Sequence, residues 1–485
     1  MPSASITTIG IITADRPASA YRALESLVRH GAAQSARARF LVIDGSRKPA
    51  NLVGTRQVVT SVVRASGHRV DYVGPRESAE FFDRLGLHDA SARVPLTPGA
   101  TGANRNLFLL MTAGEHALMV DDDVICETWA STARADGLAL MGHDQELFET
   151  EFFPDRAAAL ASVARTNVNL IAADQTLLGQ SLAGLMTSSR PADVTNACGH
   201  LRKSLDDGRT LVVKATFAGI AGDAGVYCPY RFLFSSGPLR DRLRSNPPTL
   251  STALTSREVS RIVRTNTVTH DNGCMATCMG VANTAVVPPF LPINRNEDGV
   301  FGVMLSAADE AAVFGHVPVG VLHDSNRPSH RPEGVVLSAT QTRVAEVTLG
   351  VLRARADRDS GVSSDQWFQS VGNAFTELGR IQTSDLAAFV IRTILEGRAL
   401  EIAALERDAS EPDCPAPWRA VLDKYHGKLS RSMTRPEFCL PAEFHGTGSV
   451  DAGYEALQAF LQTFGQLVSS WPALWAAAHR LNTNT

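Results

Sequence analysis

The chain has 485 residues, 44% hydrophobic and 20% charged, with a formal charge of −4, a balance near the soluble globular average that favours neither disorder nor a membrane class. Its length exceeds one ordinary core and predicts two or three domains, or one large domain with an appendage. The charge leaves no basic footprint for nucleic acid, and seven scattered cysteines, an odd number, fit reduced thiols better than a disulfide framework.

The first residues carry no basic n-region, and the apolar stretch after them is too short for a signal sequence or a span, so a cytoplasmic protein with no transmembrane segment is expected. Only five of the 46 basic residues are lysine and alanine is abundant, a bias associated with GC-rich bacterial genomes.

Residues 6–13 are an apolar, β-branched run closed by Asp15-Arg16-Pro17, which predicts a buried strand entering a loop. Tyr21, Leu24, Leu27 and Val28 recur at helical spacing and predict a helix over 18–30, capped by Gly31. A second buried strand is predicted at 40–43, stopped by Asp44-Gly45-Ser46. Strand, helix, strand is a βαβ unit, and ligands of such sheets gather at the carboxyl ends of the strands. A strand at 70–73, a helix at about 102–113 and a strand at 117–120 follow, the last running straight into Asp121-Asp122-Asp123. The segment 127–290 is harder to parse. Its alanine-rich helix near 155–166, glycine-rich stretch 219–225 and apolar run 275–287 read as an insertion into the first domain. Beyond about 335 amphipathic helices are predicted at 337–357, 384–407 and 453–480, with a polar, Pro-rich break at 408–417. The expected division is therefore 1–335, with halves of about 1–126 and 127–335, and a helical 336–485.

Three carboxylates where a buried strand emerges repel one another and raise their own pKa values, and an oxygen-seeking cation such as Mn²⁺ or Mg²⁺ is the natural compensation. A solvated acidic turn is the plain alternative. His270, Cys274 and Cys278 would share one face if their stretch were helical, but structural zinc usually wants a fourth ligand and closer cysteine pairs. Gly219, Gly222 and Gly225 lack the strand-turn-helix frame of a dinucleotide site, and no nucleophile elbow, Walker loop or zincin helix occurs.

Met119-Val120-Asp121-Asp122-Asp123-Val124 resembles the DXD motif of GT-A type glycosyltransferases, of the inverting, family 2-like kind. Other motifs of that family arrive in order. Its first strand and loop meet the nucleotide, which implies Thr13, Asp15 and Arg16; its second strand ends in an Asp that contacts the base, matched by Asp44. Gly102-Ala103-Asn104-Arg105-Asn106 is similar to its Gly-x-x-Arg-Asn-like helix start, putting Arg105 near the diphosphate or ribose, where the helix N-terminus adds a favourable dipole. Asn294-Arg295-Asn296-Glu297-Asp298-Gly299 resembles its acidic pair, implying Asp298 as general base and Glu297 as a partner of the acceptor or support of the base; taken alone, an acidic pair in a polar loop reads as a solvated turn. Val319-Gly320-Val321-Leu322-His323 resembles the strand whose histidine completes the metal site.

The resemblance covers residues 5–330 in motif order, with about thirty positions carrying it. It implies an α/β fold with a GT-A, Rossmann-like nucleotide-sugar-binding domain and a largely α-helical C-terminal domain. Asp121, Asp123 and His323 would hold Mn²⁺ or Mg²⁺. Thr13, Asp15, Arg16, Asp44, Arg105 and Asp122 would contact a nucleotide-sugar, UDP being the commonest nucleotide of this motif. The acceptor could be a small molecule, a glycan or a peptide, and self-association through the C-terminal helices is a further expectation. A sugar nucleotidyltransferase shares the βαβ architecture, but residues 13–17 lack its early glycine-rich loop. A non-catalytic scaffold on the same frame would have no use for the acid pair and the histidine.

Overall fold

A computed structural model describes residues 5–31, 38–142, 148–189, 191–226, 228–332, 340–354, 362–435 and 437–484. Among them, fourteen strands join in one mixed sheet: β1 (Ile6–Thr13), β2 (Arg39–Asp44), β3 (Val70–Val73), β4 (Glu115–Asp121), β5 (Val124–Ser131), β6 (Leu138–Met141), β7 (Glu151–Phe153), β8 (Val163–Arg165), β9 (Ala192–Asp193), β10 (Val212–Asp223), β11 (Glu258–Arg261), β12 (Asn266–Thr269), β13 (Cys278–Asn283) and β14 (Ala312–His323). One half is parallel, in the order β3-β2-β1-β4, with Thr13 beside Asp44 and Ile12 beside Asp121. β13 then runs antiparallel to β4, β10 antiparallel to β13, and β14 parallel to β10.

The parallel strands are apolar on both sides because both sides are covered. Leu41 and Ile43 of β2, with Ala117 and Met119 of β4, enter one core. Phe40, Val42, Leu118 and Val120, one residue out of step, enter the other. This alternation is the period-2 geometry of a strand buried on both faces. The helices Pro17–Gly31 and Pro49–Ser66 bury Leu24, Leu27, Val59 and Val62 in the second core.

The first core is shared with the C-terminal helices Val344–Ala354, Ser364–Leu378, Thr383–Ala409 and Val450–Thr483. The longest of these docks by polar contacts as well as apolar ones. Trp471 Nε1 donates to the Val287 carbonyl at 2.5 Å, Trp475 Nε1 to Asn283 Oδ1 at 2.8 Å, and Asn482 Nδ2 to the Leu110 carbonyl at 3.1 Å. A third, smaller core joins Tyr230, Leu243 and Leu250 to Trp418 and Tyr425 of the helix Ala416–Ser432. Among the described residues no helix is long and apolar enough to cross a membrane.

The strands expected at 6–13, 40–43, 70–73 and 117–120 are present, as are helices over the expected 18–30, 102–113, 384–407 and 453–480. Of the expected helix 337–357, residues 337–339 and 355–357 lie outside the described residues. The alanine-rich helix near 155–166 is shorter than expected: Arg156–Ala161 gives way to β8, which pairs with β5. The helix Pro49–Ser66 escapes the sequence pattern because it contains Gly54 and several valines and threonines, residues of modest helix propensity. A proline at its first position and the burial of Thr55, Val59 and Val62 outweigh that deficit.

Candidate functional site

β1 feeds β2 on one side of the sheet while β4 lies on its other side, so the carboxyl ends of β1 and β4 flank the point where the strand order reverses, the usual place for a ligand in such a sheet. A cavity of about 1160 Å³ opens there. Thr13, Arg16, Arg105, Asp121, Asp122, Asp123, Glu297, Asp298 and His323 all line it, although they come from separate stretches spread over some three hundred residues.

The three aspartates diverge. Asp121, the last residue of β4, receives Arg105 Nη2 at 2.6 Å. Asp122 accepts from Thr13 Oγ1 at 2.6 Å and pairs with Arg16. Asp123 takes Arg16 Nη1 at 3.0 Å and lies 3.2 Å from His323 Nε2. Burial pushes the Asp122 carboxyl up to about 7, against the pull of Arg16, and Asp121 is raised by burial despite Arg105. Asp123 is also penalised by burial, yet the hydrogen bond and charge of His323, with Arg16, hold it below the usual carboxylate range. His323, which burial alone would depress, is lifted to about 9 by Asp123 and Asp223. Its Nδ1 lies 2.6 Å from the Asp223 carbonyl, which fixes the ring so that Nε2 faces Asp123.

Among the described residues no three carboxylate, imidazole or thiol groups already converge to hold a metal; Arg16 and the His323 proton compensate the acids instead. The donor set nevertheless suits a hard or borderline cation: the three carboxylates and the imidazole line one cavity, and a cation at His323 would take the place of its proton.

The segment Gly102-Ala103-Asn104-Arg105-Asn106 opens the helix Thr101–Met111, and four of its residues have distinct work. Gly102 passes so close to the chain opposite that its amide donates to the Ile293 carbonyl at 2.8 Å, and a Cβ there would stand 1.9 Å from the Leu291 carbonyl oxygen. Asn104 takes the Gly99 amide at 3.0 Å and gives Nδ2 to the Thr13 carbonyl at 3.2 Å. Asn106 exchanges two bonds with the Phe290 backbone, at 2.6 and 2.9 Å. Arg105, 2% exposed, lies between Asp121 and Glu297, 3.9 Å from the latter, with its guanidinium 5.5 Å from the centre of the Phe290 ring. Its Nε and Nη1 donate no hydrogen bond to any described residue. Gly102→Ala is expected to destabilise the fold by about 1–3 kcal/mol, the cost of overpacking against backbone. Urea unfolding tests this, and an unchanged midpoint and slope would mean that the two segments separate freely.

Glu297 and Asp298 are not in a polar loop, as the sequence suggested, but form the first turn of the helix Glu297–Ala308, reached through Asn296 in the left-handed region at φ 60°. The polar string 294–298 hides a helix whose buried face, Val300, Phe301, Met304 and Leu305, begins just after it. Asp298 accepts the Gly299 amide at 2.9 Å and the Ala276 amide at 3.2 Å. Glu297 is buried, which lifts its carboxyl to about 7 against the pull of Arg105 and with the push of Asp298.

Asp15 and Asp44 do not line the cavity. Asp44 is buried, accepting from Tyr72 Oη and the Ser46 amide, both at 2.9 Å. Asp15, at φ 57°, accepts the Lys48 amide at 3.1 Å and Asn51 Nδ2 at 2.9 Å, while its own amide donates to Ser46 Oγ at 2.7 Å. Asp15 thus ties the loop after β1 to the loop after β2, while Asp44 holds the start of its own loop against β3.

The imagined zinc group has no helix to sit on: residues 270–277 are not helical, Cys278 lies in β13 opposite Val120, and burial pushes both the Cys274 and Cys278 thiols well above their usual range. Gly219 and Gly222 are strand residues of β10, where Gly219 lets the Arg261 carbonyl approach. No local signal marks the far wall, which the C-terminal helices supply. There Arg398, 2% exposed, lies between Glu346 at 2.7 Å and Glu401 at 3.0 Å. The Arg398–Glu401 spacing was visible as a helical pair, but nothing local points to Glu346.

No family model matches this sequence, and no curated protein is significantly similar to it.

Proposed function

We propose that this chain is a metal-dependent, inverting glycosyltransferase on a GT-A frame, moving a sugar from a nucleotide-sugar, with UDP the first nucleotide to test, to a hydroxyl or other nucleophile of an acceptor. What carries the reading is the meeting, in one cavity at the sheet's switch point, of three strand-end aspartates, His323 and the Glu297-Asp298 pair. These groups match an order of motifs and now also share a place.

Asp121, Asp123 and His323 would hold Mn²⁺ or Mg²⁺, which when bound neutralises charge developing on the departing diphosphate. Arg105, anchored by Asp121, would turn to the diphosphate or ribose its Nε and Nη1, which donate no hydrogen bond among the described residues. Arg16 and Thr13 orient Asp122 at the same end. Asp298, positioned by the Ala276 and Gly299 amides, takes the proton of the attacking acceptor group. Attack from the face opposite the leaving group inverts the anomeric carbon. Glu297 stands between this base and Arg105 and orients the acceptor.

Thermal denaturation with nucleoside diphosphates and nucleotide-sugars, with and without Mn²⁺, tests the donor site. A ligand bound only by the folded chain adds about 2.7 kcal/mol at a hundred times its Kd. One nucleotide should raise the melting temperature by a few degrees, more with metal, and Asp123→Ala should remove the metal-dependent part. A folded protein that no nucleotide stabilises would overturn the proposal.

A further inference from the structure

Beyond His323 the chain turns back along the cavity and pairs with the segment before β11. The Asp324 amide donates to the Asp123 carbonyl, the Arg257 amide to the Ser329 carbonyl and the Arg331 amide to the Thr255 carbonyl, each at 2.7 Å, and Ser256 bridges His330. This pairing gathers Arg257, Arg327 and Arg331. Arg257 and Arg327 line the cavity. Arg331, 2% exposed, stands behind them, its Nε donating to the Ser256 carbonyl at 3.0 Å and its Nη1 to the Val226 carbonyl at 2.9 Å.

The cluster is short of negative charge. Arg331 Nη2 and Arg257 Nε are buried and donate to none of the described residues. Burial and the charges of Arg257 and Arg327 hold the Arg331 guanidinium down to about 10, with Asp223 pulling the other way. Asp223 is itself shared with His323 and with Ser325 Oγ. Among the described residues, three guanidiniums gathered beside the already occupied Asp223 leave unmatched cationic charge in a half-buried setting, which an anion with several acceptor oxygens would relieve.

The cluster lies on the His323 side of the cavity, with arginines other than those that hold the aspartates. At the β1–β4 end Arg16 and Arg105 already stand among the aspartates. Arg331 and Arg257 instead flank the Gly225-Val226 segment, Arg331 Nη1 donating to the Val226 carbonyl and the Arg257 carbonyl accepting the Ala224 amide. A Cβ on Gly225 would lie 3.5 Å from the His323 ring and 3.8 Å from Met275, the neighbour of the Ala276 amide that holds Asp298.

We infer that Arg257, Arg327 and Arg331 form an anion subsite of the cavity, taking a carboxylate or phosphate carried by the acceptor. Its assignment to the acceptor rests on the glycosyl-transfer reading, whereas the anion subsite itself does not.

Calorimetric titration of the full chain with inorganic phosphate, alone and with saturating UDP and Mg²⁺, tests this. Saturable binding is expected, weakened roughly tenfold or more by Arg257→Gln and by Arg327→Gln, and retained when UDP is bound. Arg327 is exposed, so its variant keeps the test open if Arg257→Gln misfolds. No saturable binding, or binding that neither substitution weakens, overturns the subsite. Binding that UDP abolishes assigns the anion to the donor's diphosphate and overturns the acceptor inference. If UDP does not bind while phosphate still titrates against the arginines, the transfer reading falls and the anion subsite stands.

Discussion

Asp298→Asn is expected to slow sugar transfer by roughly 10²–10⁴-fold, the usual contribution of a positioned general base, while nucleotide affinity stays nearly unchanged. Asparagine has the same shape, and its one carbonyl oxygen can still take a backbone amide, so the helix start at Glu297–Ala308 should persist. The separation of effects is the point. Among the described residues Asp298 bonds the Gly299 and Ala276 amides and none of the aspartates at the end of β4. Turnover and nucleotide affinity should therefore be measured on the same preparation. Equal loss of both would remove Asp298 from the role of base. Near-normal transfer would move that role to Glu297, whose carboxyl burial lifts to about 7. A base works deprotonated, so with Glu297 in that role the rate would rise as pH increases through about 7, and Glu297→Gln would abolish this acid limb.

Arg105→Met should cost the fold about 3–5 kcal/mol, the size expected when one partner of a buried ion pair is removed and the other is left behind. Arg105 is 2% exposed and faces both Asp121 and Glu297, so its loss strands two buried acids at once. The deficit carries a sign in pH. Both carboxyls are already raised above their ordinary values of 3.8 and 4.5 by burial, and Arg105 is the main charge pulling them down. Without it their folded pKa values rise further. An acid whose folded pKa is raised supports folding below its unfolded pKa and loses that support as pH climbs through the folded value. The variant should therefore be closer to wild type at pH 5 than at pH 8 in urea unfolding. The same deficit at both pH values would trace the loss to packing against Phe290 rather than to charge.

How far the site could be read in the sequence depended on how local each cause was. The acids of β4 were legible because an apolar strand ending in Asp121-Asp122-Asp123 needs nothing distant to define it. His323 was legible in the same way, at the end of β14. Glu297 and Asp298 were found, but in the wrong setting: the polar string before Val300 concealed a helix start that depends on Asn296 at positive φ. The role of Asn104 and Asn106 was not legible. Both serve carbonyls and amides of Thr13, Gly99 and Phe290, and no propensity of a helix start names such partners. Asp44 shows the opposite failure, for its place at the end of β2 was right while its carboxylate is spent on Tyr72 and Ser46.

By itself the sequence determined the βαβ frame and its parallel strands, because strand and helix periodicity and the residues that stop each element act over a few positions. It also determined which acids and which histidine stand at strand ends. Only the tertiary structure decided that Arg105 is caged between Asp121 and Glu297, that the C-terminal helices wall the cavity through Glu346 and Arg398, and that Arg257, Arg327 and Arg331 meet. Those meetings join residues up to almost two hundred positions apart. Their energies come from charges buried together, and no stretch of sequence shows which distant charge burial will place beside it.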